Sequence, residues 1–267
     1  MVTKPDFPAI KRKLAQHKEY FLHDVKDFLL FVVTAILGTL IFYRQTGDEL
    51  TATLILSLLW YFFWRESDLQ GKVFLVAASV VGYIHELIGV KAGFFTYYGG
   101  FFGGVPLWVL PGYGAIFWAA YNFWKIFEET YKDRKWFSKI PAAAIGITIA
   151  LAIVDAAFFD LPKDPIFITL GLALSLLLFK NLAEVRMAYF VATFTVFDEI
   201  AGEFIGTWHH PIFSIFSLMS GYVFFLWIAL SIKEILQGTK KWRAIEIIGA
   251  ILFLAIFAKD VLKGLSG

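Results

Sequence analysis

The chain has 267 residues, of which 59% are hydrophobic, 19% aromatic and only 17% charged, with a formal net charge of +2 and a mean hydropathy of +0.69. Soluble domains carry nearer about 25% charged residues, so this composition argues against a water-soluble enzyme, against a disordered chain, and against a concentrated basic face for nucleic acid. There are no cysteines, which excludes disulfides, thiolate metal sites, iron–sulfur clusters and cysteine nucleophiles.

In chain order, residues 1–26 carry Lys4, Lys11, Arg12, Lys13, Lys18 and Lys26 interleaved with Ile10, Leu14, Tyr20, Phe21 and Val25. That pattern predicts a basic amphipathic segment lying on the anionic cytoplasmic leaflet. It does not read as a cleavable signal, because the following apolar run ends in Phe42-Tyr43-Arg44 and not in small residues. A spanning helix needs roughly 20 mostly apolar residues. Apolar runs at 27–44, 48–64, 72–90, 105–124, 141–158, 165–180, 187–203, 212–232 and 243–259 predict an all-α, polytopic transmembrane bundle of about nine spans. Alternating the connections places 19 of the 24 lysines and arginines on one side. The expectation is therefore a multi-pass cell-membrane protein with a cytoplasmic N-terminus. The basic connection at 125–140 reads as an inner loop joining two halves.

Two stretches resemble each other at a constant offset of 113: His85-Glu86-Leu87-Ile88-Gly89 through Gly93-Phe94-Phe95, and Asp198-Glu199-Ile200-Ala201-Gly202 through Gly206-Thr207-Trp208. Gly112-Tyr113 with Trp118 likewise matches Gly221-Tyr222 with Trp227 at offset 109. The expected organisation is two parallel four-span repeats, 27–124 and 141–232, with a ninth helix at 243–259. Positions 86, 89 and 93 share one helical face, as do 199, 202 and 206. The glycines then admit a close backbone neighbour, and each glutamate faces protein instead of lipid. The competing reading has the glycines only packing helices and the glutamates only reaching the headgroups. An uncompensated carboxylate at membrane depth costs roughly 2.5–3.5 kcal/mol, which weighs against it.

Most intramembrane polar residues gather at one end of the predicted spans: His85 and Glu86, Asp155, then Asp198, Glu199 and Glu203. His209 and His210 begin the next outer loop, and Tyr97 and Tyr98 lie in the matching loop of the first half. Paired buried carboxylates hold one proton between them near neutrality and supply a general acid and a general base together. The expected catalytic group is Glu86, Glu199, Asp198, His85 and Asp155, and the expected substrate-binding aromatics are Tyr97, Trp108, Tyr113, Trp208 and Tyr222. A metal held by His85, Glu86, His209 and His210 is the weaker alternative, since no HExxH-like spacing occurs.

The run from Gly82 to Tyr97 (Glu86, Gly89, Gly93, Tyr97), followed by Gly104-Val105-Pro106-Leu107-Trp108, resembles the carotenoid 1,2-hydratase-like membrane proteins of the bacterioruberin pathway. The match covers about 30 residues, and it departs at Phe94-Phe95-Thr96, where the family pattern has Pro-Phe-Gly. The resemblance implies a lyase that hydrates the end group of an acyclic carotenoid drawn from the bilayer. It implies no cofactor and no nucleic-acid partner. Glu86 would then protonate the alkene, Glu199 or Asp198 would orient water, and aromatic faces would stabilise the cation. A proton- or metal-coupled transporter and a non-catalytic membrane scaffold are the other function classes the sequence allows.

Overall fold

The computed structural model describes residues 18–135, 137–139, 177–211 and 215–265. Within them the chain forms α1 (Lys18–Thr46), α2 (Glu49–Glu66), α3 (Leu69–Lys91), β1 (Thr96–Tyr97), α4 (Val109–Tyr131), α5 (Leu182–Ile205), β2 (Trp208–His209), α6 (Ile215–Leu236) and α7 (Ala244–Leu265). Side-chain caps set several of these starts by satisfying the free N–H groups of the first turn. Asp48 accepts from the Thr51 N–H at 3.0 Å and Asp68 from the Gly71 N–H at 2.7 Å. Asn181 accepts from both Ala183 and Glu184 at 3.0 Å. Replacing Asn181 with alanine is expected to cost about 1 kcal/mol of stability, read as a lowered midpoint of thermal unfolding.

The helical class agrees with the sequence, but the span count does not. Among the described residues two helices, Leu69–Lys91 and Leu218–Leu236, are long and apolar enough to cross a membrane, where about nine were expected over the whole chain. Charge and polarity explain the shortfall. Helix α2 carries Glu49, Arg65 and Glu66, and α5 carries Glu184, Arg186, Asp198, Glu199 and Glu203. Helix α4 is rich in tyrosine, tryptophan and glycine and contains Asn122, residues that pass as apolar or neutral in a run count yet lower the hydropathy. The runs at 141–158 and 165–180 lie outside the described residues, as does the amphipathic segment before Lys18. From Lys18 the chain is already helical and runs unbroken into the first apolar run.

At the centre, α3 packs on α4 and α5 on α6, while α3 also meets α6 and α4 meets α5. Helices α1 and α2 lie against this group. The unit that repeats among the described residues is helix–loop–helix, α3–α4 and α5–α6; the expected second four-span half, 141–232, lies partly outside them. Its two loops join in an antiparallel ladder in which Thr96 pairs with His209 and Tyr97 with Trp208. Thr96 and His209 are themselves 113 positions apart, the offset of Glu86 and Glu199. An antiparallel pair has a local twofold axis, and here that axis relates equivalent positions. Phe95 therefore corresponds to Trp208, and Tyr97 to His210.

The motif glycines serve this turn and not a backbone-to-backbone contact. A Cβ on Gly89 would overlap the ring of Phe95, and one on Gly202 would overlap the ring of Trp208. Each loop aromatic folds back onto its own helix at that notch. Gly93 and Gly206 sit outside the helical face expected for them: both have positive φ, 73° and 78°, a left-handed conformation that ends the helix at little cost only for glycine.

At the far end of the chain, Glu246 at the start of α7 is buried. It accepts from Lys240 Nζ at 2.5 Å and from Trp227 Nε1 at 2.8 Å, tying α7 to α6.

Candidate functional site: a twofold pair of glutamate–tyrosine contacts

Each helix–loop–helix unit brings one glutamate and one tyrosine to the axis. Tyr113 Oη of α4 donates to Glu86 Oε1 of α3, and Tyr222 Oη of α6 donates to Glu199 Oε1 of α5, both through short hydrogen bonds. The two phenol oxygens lie 3.2 Å apart. Glu86–Tyr113–Tyr222–Glu199 is therefore one continuous oxygen chain crossing from one unit to the other. Glu86 is 3% exposed and Glu199 9%, so water does not stand in for any of these partners. A buried polar chain of this kind contributes only when every member is satisfied.

The second oxygen of each glutamate meets the ladder. Tyr97 Oη donates to Glu86 Oε2 at 2.6 Å. Burial, reinforced by the neighbouring Glu86 and Glu199 carboxylates, pushes the Tyr97 phenol well above its ordinary value, so it stays a donor. In the other unit the equivalent residue is His210, whose Nε2 lies 4.0 Å from Glu199 Oε2. The ring pairs follow the same symmetry, with Phe95 and His210 at 5.1 Å between centroids and Trp208 and Tyr97 at 5.7 Å. His85 Nδ1 lies 3.3 Å from Glu86 Oε1, and its ring packs edge-on against Phe225.

A narrow cleft of about 30 Å³ opens beside this chain. Glu199, Asp198, Tyr97, Tyr113, Trp108 and Trp208 line its polar side; Ile36 and Leu40 of α1 and Leu56 of α2 line the aliphatic wall opposite. Glu86 is not in the lining, so of the two glutamates Glu199 is the one that faces the cleft, beside Asp198. Asp198 Oδ1 and Trp208 Nε1 are buried there without a hydrogen-bond partner among the described residues, leaving an acceptor and a donor available to whatever enters.

Of the residues expected from sequence, Glu86, Glu199, Asp198, His85, Tyr97, Trp108, Tyr113, Trp208 and Tyr222 come together, and Asp155 lies outside the described residues. His209 is held elsewhere: its Nδ1 is 2.7 Å from Glu203 Oε1, and His210 Nδ1 is 3.0 Å from Glu203 Oε2. Among the described residues no three His, Asp or Glu side chains are arranged to hold a metal ion, so the weaker metal set is not assembled. Glu203 is the anchoring residue that sequence reading left without a role. Its spacing of six and seven from the histidines, across the Gly206 turn, was the signal. Ile36, Leu40 and Leu56 carried no signal, being three aliphatic residues in apolar helices. Tyr43 of α1 was equally silent, and its Oη donates to the Tyr98 carbonyl at 2.6 Å, fixing the loop.

Comparison of the chain with protein-family models, with curated proteins and with solved structures finds no match.

Proposed function

We propose that this chain is a multi-pass membrane enzyme with a cytoplasmic N-terminus that adds water to the end group of an acyclic carotenoid or related isoprenoid. Two observations support the membrane setting. Helices α3 and α6 have the length and apolarity to span, and large apolar side chains stand exposed elsewhere: Leu50 and Leu58 on α2, Ile248 and Ile251 on α7, and Phe204 at 92%. Exposed apolar surface on this scale marks contact with lipid or protein rather than water.

The observation that carries the chemical reading is the Glu86–Tyr113–Tyr222–Glu199 chain beside an apolar cleft. It has three oxygen-to-oxygen links. With both phenols donating to the carboxylates the phenol–phenol link holds no proton, so filling all three links requires one carboxyl to be protonated and to donate to its tyrosine while the other is ionised. Reversing the direction of donation moves that proton between Glu86 and Glu199 without moving a heavy atom.

Acid–base hydration follows from these parts. Protonated Glu199, facing the cleft, gives its proton to one alkene carbon of an end group seated against Ile36, Leu40 and Leu56. The other carbon becomes a tertiary cation beside the faces of Trp108 and Trp208. A water held by Asp198 forms the new C–O bond and leaves its surplus proton on Asp198. Both glutamates are then ionised, and the proton on Asp198 returns to the Glu86–Tyr113–Tyr222–Glu199 chain and restores its one protonated carboxyl. One water is consumed and no net proton. The cleft must widen for an end group to enter, and α1 and α2 are the elements that would move. The roles fall differently from the sequence expectation: Glu199 acts on the substrate, and Glu86 shares the single carboxyl proton with it through Tyr113 and Tyr222.

Tyr222→Phe breaks the link and leaves Glu199 in place. Steady-state turnover is expected to fall roughly 10²-fold, read as product formed per unit time at equal folded protein. The function is tested by expressing the protein in a lycopene-accumulating host and analysing pigments by chromatography and mass spectrometry. A carotenoid heavier by one or two waters is the expected result. Unaltered lycopene with the protein confirmed in the membrane would exclude this substrate class.

A further inference from the structure

At the opposite end of the same helices lies a larger cavity of about 290 Å³, near the lower end of the range for small-ligand sites. It is independent of the cleft: Lys125 and Lys233 are 12 and 11 residues beyond Tyr113 and Tyr222, or roughly 16–18 Å along the helices. Both lysines line it, one from α4 and one from α6. Their ammonium groups converge on one ring, 4.2 and 5.4 Å from the centroid of Tyr121. Neither has a hydrogen-bonded or ion-paired carboxylate among the described residues, whereas Lys180 and Lys240 each do. Two cations drawn to one aromatic ring repel each other, and Asp68 attracts both from the cavity wall without forming an ion pair with either.

The facing wall carries the opposite sign. Glu66 and Asp68 line it at the α2–α3 junction, Asp68 also capping α3 through the Gly71 N–H. A cavity with two lysines on one side and two carboxylates on the other matches a ligand that bears both charges close together. Phosphate suits the lysine side, since lysine binds it as a point charge.

We propose that this cavity binds a zwitterionic phosphate ester, its phosphate bridging Lys125 and Lys233 and its ammonium group facing Glu66 and Asp68. A phospholipid headgroup and a soluble aminoalkyl phosphate share that chemistry. The test uses the full-length protein purified in detergent, with O-phosphoethanolamine followed by calorimetry and phosphatidylethanolamine followed by native mass spectrometry. Inorganic phosphate is the comparison.

At least one zwitterion is expected to bind at least ten-fold more tightly than inorganic phosphate. Lys125→Gln with Lys233→Gln should weaken it at least ten-fold, and the double arginine variant should retain it. Binding of the lipid alone identifies a headgroup site, and binding of both identifies a site open to soluble ligand. Inorganic phosphate binding as tightly as either zwitterion would overturn the proposal. So would zwitterion binding that the glutamine pair leaves unchanged, or no binding of either zwitterion to the folded wild type.

Discussion

Glu199→Gln is expected to lower hydration turnover by roughly 10²–10⁴-fold, the usual contribution of a positioned general acid, while the protein stays folded. Glutamine keeps the shape of the side chain, and its amide oxygen still accepts from Tyr222, so the chain across the axis is preserved as a set of contacts. What is lost is the transferable proton at the cleft. Glu86→Gln removes the carboxyl that shares the proton and not the acid that faces the cleft. Its expected defect is smaller than that of Glu199→Gln, because the Glu199 carboxyl still meets the cleft. Steady-state turnover of the two variants at equal folded protein separates them. Equal loss in both would show that the two glutamates act as one undivided group.

Gly202→Ala is expected to be the most disruptive of the conservative changes. The added Cβ falls within the Trp208 ring, and that ring lies 5.7 Å from Tyr97 and 6.2 Å from Trp108 between centroids. The indole must leave its notch, and the ladder pair Tyr97–Trp208 goes with it. Overpacking of this kind costs about 1–3 kcal/mol, and loss of the loop that holds Tyr97 on Glu86 adds to it. Thermal unfolding in detergent measures the loss. Combining Gly202→Ala with Trp208→Ala relieves the overlap and should recover much of the stability. A double variant no more stable than the sum of the two single changes would contradict the notch.

The sequence made the axis legible but not its workings. Glu86 and Glu199 stood out because a carboxylate in an apolar run demands a partner, and the offset of 113 tied them together. Tyr113 and Tyr222 were visible as a second matched pair at offset 109, which the structure joins to the first. The correspondence of Tyr97 with His210 was hidden, since the two residues differ and only the ladder register aligns them. The glycines misled for a physical reason. Their i, i+3, i+7 spacing fits a helical face, yet the third member in each case adopts positive φ beyond the end of the helix, and spacing says nothing about where a helix stops. The span count failed because tryptophan, tyrosine and glycine sit inside apolar runs without matching leucine's preference for hydrocarbon. The aliphatic wall of the cleft was unreadable because Ile36, Leu40 and Leu56 are ordinary residues whose meaning comes only from what lies opposite.

The most direct test is incubation of the purified protein with an acyclic carotenoid in heavy-oxygen water, with Glu199→Gln alongside. Wild type is expected to release a product carrying one heavy oxygen per hydrated end, and the variant almost none, at equal folded protein. Wild type that leaves the carotenoid unlabelled, or a Glu199→Gln protein that labels it as fast as wild type, would contradict the account.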